Sequence, residues 1–196
     1  MFRLSDVPLS LVSTPRLNGE RVYLRAPHPD DWREWAELRA QSRAFLQPWE
    51  PTWPEDGLTR DHFRRRLRQH MKEGKAGEGY SFFAYLRDSK ALLGGITLGN
   101  IRRGVAQSGS IGYWMGQPHA HHGYMTVALR LLLPTLFGEL NLHRVEAACI
   151  PTNTPSIRVL EKCGFTREGL ARRYLCINGV WQDHLLFGLL HEDFRG

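Results

Sequence analysis

Pro151-Thr-Asn-Thr-Pro-Ser-Ile-Arg-Val-Leu-Glu-Lys-Cys-Gly-Phe165 reads as a short helix with both ends marked. Thr154 can cap it. Pro155 suits its first position, where a missing N–H costs nothing, and Gly164 suits the residue that ends it. The spacing predicts a helix over Thr154–Lys162. Asn153 has two readings. If Thr154 is the cap, the Asn153 amide is free to hydrogen-bond a ligand; if Asn153 is itself the cap, its side chain has a structural task. Upstream, Arg144 to Cys149 reads as a strand, preceded by a long helix from about Tyr124 to Phe137. Strand, helix, strand and helix in this order call for a mixed α/β sheet with helices on its faces.

One step further out, Gln107 to Met115 is another strand. It runs into Gln117-Pro-His-Ala-His-His-Gly-Tyr-Met-Thr126, a loop that becomes the long helix near Gly123. A helix N-terminus presents unpaired backbone N–H groups and a partial positive charge, which together suit a pyrophosphate. Gly123 lets the backbone come close to such a group.

The first half of the chain builds an antiparallel meander. Glu20 to Arg25 alternates as a strand, and Pro27-His-Pro-Asp-Asp-Trp32 opens a helix that Asp30 or Asp31 can cap. Trp32, Trp35 and Leu38 form its buried stripe. Gln47 to Asp56 holds three prolines and two tryptophans and must be an ordered loop. Its Trp49 and Trp53 suit either substrate binding or packing beneath the loop. A basic helix follows, with Arg60, Arg64, Arg65, Arg66, Arg68, Lys72 and Lys75. Its Phe63, Leu67 and Met71 recur every four positions and are expected to face the core. The basic face is either solvated or an RNA contact. Tyr80 to Leu86 and Leu92 to Asn100 are strands. At the far end, Thr166 to Tyr174 and Trp181 to Leu190 form a hairpin about Asn178-Gly179.

Composition narrows the function. The net charge of +6 favours an anionic ligand or partner. No apolar run reaches the ~20 residues that span a bilayer. Met1 to Pro15 lacks a continuous apolar core, so no secretory leader and a cytoplasmic location are expected, with 1–15 as a loosely ordered extension of one domain over 1–196. Cys149, Cys163 and Cys176 have neither disulfide nor zinc spacing. His119, His121 and His122 invite a metal reading, but no carboxylate or cysteine lies nearby in sequence. Ser156 with His184 lacks the nucleophile elbow of a hydrolase.

Asn153-x-x-Ser156 followed by Glu161-Lys162-Cys163-Gly164-Phe165 resembles the N-x-x-[AS]-x-x-x-x-E-K-x-G-F signature of the GNAT acetyltransferases. Gly123-Tyr124-Met125 stands where that superfamily carries its pyrophosphate loop. Arg21-Val-Tyr-Leu-Arg25, Pro29-Asp-Asp-Trp32 and Asn178-Gly-Val-Trp-Gln-Asp-His184 after Tyr174 are similar to the RimJ/RimL ribosomal-protein N-terminal acetyltransferases. The resemblance covers the chain from about Arg16 onward. It implies a GNAT fold, a sheet of about seven strands splayed between the fourth and fifth, and direct attack of an amine on acetyl-coenzyme A without an acyl-enzyme or metal.

On this resemblance the cofactor would lie along Trp114 and Met115, with its pyrophosphate over His121, His122, Gly123, Tyr124, Met125 and Thr126, and with Asn153 and Ser156 beside it. Ser156, Tyr174 and Asp183 are the catalytic candidates, Ser156 as donor to the departing thiolate. Trp49, Trp53, Tyr113 and His184 would face the acceptor. The chain departs from the family pattern at Ala120, His121 and Val127, and Leu160 stands where many relatives place an acidic tyrosine. Leu175 replaces a glutamate used in some RimL-like proteins. No general base is evident beyond Asp183, His184, Tyr174 and Glu146. The expected acceptor is a protein N-terminal amine, with ribosome association in view. A small amine is the alternative, and a catalytically weak ribosome- or RNA-associated binding protein is the reading from another class.

Overall fold

The computed structural model describes residues 16–194; the expected N-terminal extension, 1–15, lies outside them. Eight strands form one sheet in the order β1-β2-β3-β4-β5-β6-β8-β7. They are β1 (Leu17–Asn18), β2 (Val22–Arg25), β3 (Tyr80–Leu86), β4 (Leu92–Arg102), β5 (Ser108–Met115), β6 (Arg144–Cys149), β7 (Thr166–Ile177) and β8 (Val180–Leu190). The strand beyond the expected seven is β1, two residues long and without an alternating pattern of its own.

Helices cover both faces. On one side α4 (Tyr124–Pro134) and α5 (Thr154–Lys162) pack on Val22, Leu24, Phe82, Ile96, Leu98, Val145 and Phe187. On the other side lie α1 (Trp32–Gln41), the short α2 (Arg43–Leu46) and α3 (Arg60–Ala76). Trp35 and Leu38 of α1 and Phe63 and Leu67 of α3 meet Tyr23, Phe83, Tyr85 and Leu92 there. Each strand's period of two divides its side chains between these layers.

Three local expectations are corrected. Met71 is 61% exposed. A spacing of four drifts around a helix of 3.6 residues per turn, so it leaves the buried stripe after Leu67. Asp31 starts α1 but does not cap it through its side chain. Its carboxylate accepts from both Arg25 Nη atoms (2.6 and 2.8 Å) and from the His28 N–H (2.7 Å). His28 instead caps the preceding turn, Pro29–Asp31. The long helix stops being α-helical at Pro134, one turn early, and continues as a wider turn over Thr135–Glu139. Proline has no N–H to give the carbonyl four residues back.

The feature that positions the site is a split in the sheet. β5 and β6 pair in parallel only at Ser108↔Arg144, Gly109↔Val145 and Ser110↔Glu146. Beyond Ser110, β5 continues against β4 from Thr97↔Gly112 to Gly94↔Met115. β6 continues against β8 alone, from Ala147↔Phe187 to Cys149↔Leu185. The two halves part at Gly112, as the resemblance implied between the fourth and fifth main strands.

Candidate active site

Four elements converge on the split. Tyr113 projects from β5 on the face that carries α4 and α5, and Ser156 lies in the first turn of α5. The Tyr113 hydroxyl is 2.8 Å from Ser156 Oγ and donates to the Ser156 carbonyl at 3.1 Å. Burial pushes the Tyr113 phenol well above its usual range, partly offset by the Ser156 hydrogen bond. It therefore remains a neutral O–H donor at any physiological pH. Ser156 is held from below: its N–H donates to Asn153 Oδ1 at 3.2 Å. Asn153 is thus the cap of α5, and Thr154 is its first residue. The side-chain oxygen is committed to the helix, which leaves the Nδ2 hydrogens as the part of Asn153 able to meet a ligand.

At the other mouth of the split, α4 begins at Gly123 (φ +77°) with no side-chain cap. His121 also adopts a left-handed conformation (φ +64°). The first amides of Tyr124, Met125 and Thr126 therefore point out of the helix end without a capping side chain, which fits an anionic group. Nothing lies within 4 Å of a Cβ built on Gly123, so glycine is required there by its φ, not by crowding. His122 lies exposed, stacked on Tyr124 at 5.6 Å with Nδ1 2.6 Å from the Ala120 carbonyl. Among the described residues no group of three or more His, Cys, Asp or Glu is placed to hold a metal.

Trp114 and Met115 carry the free edge of β5. Met115 lies opposite Gly94, where a Cβ would collide with the Trp114 carbonyl oxygen and lie 3.0 Å from Met115 Cα. Gly94→Ala should therefore push β5 off β4, cost about 1–3 kcal/mol, and weaken cofactor binding; urea unfolding and calorimetry measure the two effects. The loop after β5 is tied down by Ser42, wholly buried, whose Oγ accepts from the Gln117 N–H at 2.8 Å.

The opposite face holds an aromatic and charged wall that the sequence reading only half identified. Arg39 of α1 lies 4.3 Å from the Trp53 ring, 4.9 Å from Trp114 and 5.8 Å from Trp35. Its guanidinium forms a two-pronged ion pair with Glu50, one arm at 3.2 Å. Glu50 also accepts from Trp53 Nε1 at 2.7 Å, and its carbonyl accepts from the Asn178 N–H at 3.0 Å. One residue thereby joins α1, the Trp49–Trp53 loop and the tip of the β7–β8 hairpin. Trp49 ends the turn Gln47–Trp49 and is half-buried. Arg39 and Glu50 were missed because charges on a helix and in a loop read as solvated. The signal was Glu50 lying between Trp49 and Trp53, with a polar partner needed for each indole N–H.

Among the remaining candidates, Asp183 Oδ1 accepts from the Arg173 N–H at 2.8 Å. It holds the bulge where Ala171↔His184 gives way to Leu175↔Gln182, with Arg173 at φ +47°. His184 is 3% exposed, its Nδ1 3.0 Å from the Gln182 carbonyl and its ring edge-on to Tyr174. Tyr174 is half exposed on the outer strand. Glu146 is paired with Arg102 and Arg144 at the closed end of the split. None of these four is brought against Tyr113 and Ser156 by a hydrogen bond.

Burial pushes the thiols of Cys149, at the end of β6, and Cys163 up to about 11 from an ordinary value near 9. Between those two pH values the unfolded chain has released protons that the folded chain retains, so stability falls as pH rises through the window. Each thiol contributes up to roughly 2–3 kcal/mol of this loss. The urea midpoint should therefore drop between pH 8.5 and 10.5, and Cys163→Ala should flatten the slope.

A sheet of this order, split between these strands and with a bare helix N-terminus beside the split, is the architecture of GNAT acetyltransferases. Residues 21–166 match the family description "Acetyltransferase (GNAT) domain", and the chain belongs to that family. It is an acetyltransferase of GNAT/RimJ type. It is 36% identical over 177 residues to the probable N-acetyltransferase YjcK of Bacillus subtilis, spanning 90% of this chain and 98% of that one. It is 32% identical over 185 residues to the ribosomal protein uS5-alanine N-acetyltransferase of Escherichia coli, spanning 94% and 95%. Among solved structures, the ribosomal-protein-S5-alanine acetyltransferase of Vibrio fischeri superposes with a TM-score of 0.85 at 30% identity, covering 93% of this chain and 100% of that one. Mycobacterium smegmatis RimJ, in complex with CoA-disulfide, superposes at 0.84 with 32% identity, covering 93% and 88%.

Proposed function

We propose that this enzyme acetylates the N-terminal amine of a protein, of the ribosomal-protein alanine class, by direct transfer in a ternary complex. Support for the acceptor class comes from the relatives named for uS5 alanine, which align over nearly their whole length. The observation that carries the chemistry is the Tyr113–Ser156 pair spanning the open split beside the uncapped start of α4.

Bound acetyl-coenzyme A supplies an activated thioester. The amides at the start of α4 receive its pyrophosphate, and the free edge of β5 at Trp114 and Met115 aligns its pantetheine arm. Ser156 Oγ donates a proton to the sulfur as the carbon–sulfur bond breaks and recovers one from solvent once the thiol has left, while the neutral Tyr113 hydroxyl, 2.8 Å away, holds Oγ in place. The amine lone pair forms the new carbon–nitrogen bond, and its surplus proton leaves to solvent. The Glu50–Arg39–Trp53 wall and the hairpin tip fix the acceptor side, so positioning supplies much of the acceleration without a dedicated base.

Calorimetric titration with acetyl-coenzyme A, then a thiol-release assay over peptides beginning with alanine or serine and over small amines, tests this reading. Turnover is expected to be fastest with alanine-initiated peptides. Cofactor binding with turnover only on small amines would replace the acceptor class, and binding without any turnover would favour a binding protein. Absence of cofactor binding would sink the whole reading.

A further inference from the structure

The basic helix α3 does more than face solvent. Arg64, Arg68, Met71 and Lys75 lie on one stripe, at steps of four, three and four, and all four line a pocket of about 840 Å³. Leu67 and His70 form its inner wall on the same helix, with Ala26–Pro29 and Tyr80–Phe82 on the other sides. The pocket therefore lies at the outer edge of β3, away from the split between β5 and β6.

Three properties of this pocket are unaccounted for by acetyl transfer. First, β2 stops pairing at Arg25↔Phe83, so Tyr80–Phe82 has no strand on its outer side. The Arg87 N–H bonds the Arg21 carbonyl, which directs the odd-numbered amides of β3 toward that side. Extending the register puts Pro27 opposite Ser81, and proline has no N–H to complete the ladder. Second, cations but no carboxylate are among the lining residues. Arg64 has a long, exposed contact with Asp61 outside the lining, at 3.9 Å, whereas elsewhere on α3 Arg65 is closely paired with Asp56. Third, apolar surface is left open: Met71 is 61% exposed between Arg68 and Lys75. Among the described residues His70 Nδ1 is buried there without a partner.

We propose that this pocket docks an extended acidic peptide segment of a partner protein, which adds to the β3 edge at Ser81. Its carboxylates pair with Arg64, Arg68 and Lys75, and an apolar side chain seats on Leu67 and Met71. An unpaired strand edge recognises extended backbone, while alternating charged and apolar positions supply the selectivity. Single-stranded RNA is the weaker fit. The Tyr80 and Phe82 rings here are 5% and 2% exposed, which leaves the His28 imidazole, and no phenyl, phenol or indole, for a base to stack on.

Fluorescence anisotropy of the full chain with a fluorescein-labelled peptide of alternating glutamate and valine tests the site. Saturable binding is expected, weakened roughly tenfold or more in Arg64→Glu/Arg68→Glu. Lys72→Glu, exposed on the same helix outside the pocket, should leave it within about twofold, which separates a site from general charge. Ser81→Pro removes the edge N–H at a position where an edge strand tolerates proline and should also weaken binding. Acetyl-coenzyme A affinity and the thermal midpoint should be unchanged in the charge variants, which separates this site from the acetyl-transfer reading. The proposal is overturned if the peptide does not saturate, or if Lys72→Glu weakens it as much as the double variant. Tighter binding of an oligouridylate, or of a synthetic peptide of residues 1–14 of this chain, would equally overturn it by assigning the pocket to RNA or to the chain's own N-terminal segment.

Discussion

Ser156→Ala should lower kcat roughly a hundredfold while the KM for acetyl-coenzyme A moves less than about threefold. The split follows from where each atom of Ser156 is used. Its backbone N–H anchors to Asn153 Oδ1 and its carbonyl accepts from Tyr113, and both survive the substitution. Only Oγ is lost, together with the 2.8 Å contact that positions it. α5 should remain capped and the pocket walls in place, so the loss falls on the chemical step. Tyr113→Phe should reduce kcat less, because Ser156 keeps its own proton and loses only a partner that orients it. The two together should fall short of the product of the single effects, since they act as one unit. Asn153→Ala is the structural contrast: loss of the cap costs about 1 kcal/mol of stability. Stopped-flow thiol release at saturating acceptor measures the chemical step. An unchanged rate in Ser156→Ala would remove the proton-donor role and leave Ser156 as a contact residue.

The same helix shows what a single sequence can convey. Thr154–Lys162 and Arg144–Cys149 are observed with the bounds their patterns predict, because Pro155, Gly164 and the alternation in β6 act locally. The Asn178-Gly179 turn is also local, with φ values of +46° and +81° that asparagine and glycine tolerate. The identity of the cap was not legible, since Asn153 and Thr154 are both good caps and only backbone geometry chooses. Asp31 is the plainer case. Its role depends on Arg25 of β2, which is itself held by the Tyr85 hydroxyl of β3. Tyr113 was placed on the acceptor side because no local rule joins it to Ser156, forty-three positions away. Glu50 was missed for the same reason: Arg39 and Asn178 reach it only after the fold closes.

Glu50→Ala should raise the acceptor KM roughly tenfold, leave the acetyl-coenzyme A KM nearly constant and reduce stability by about 2–3 kcal/mol. Arg39 and Glu50 retain only 13% and 20% of their side-chain exposure, so deleting the carboxylate strands a largely desolvated cation. The cost stays below that of a fully buried pair for two reasons. Some water still reaches both groups, and the guanidinium keeps its contacts with Trp35, Trp53 and Trp114. The acceptor is affected selectively because the Trp53 indole loses its acceptor at 2.7 Å, while the uncapped start of α4 and the β5 edge do not touch Glu50. Glu50→Gln sharpens the test. Its amide oxygen can still accept from Trp53, so acceptor binding should recover in part, yet the charge facing Arg39 is gone and stability should not recover equally. A merely structural residue would show the two losses moving together across the two variants, with both KM values rising as the chain softens. Divergence between acceptor KM and the urea midpoint in Glu50→Gln is what a positioning residue requires.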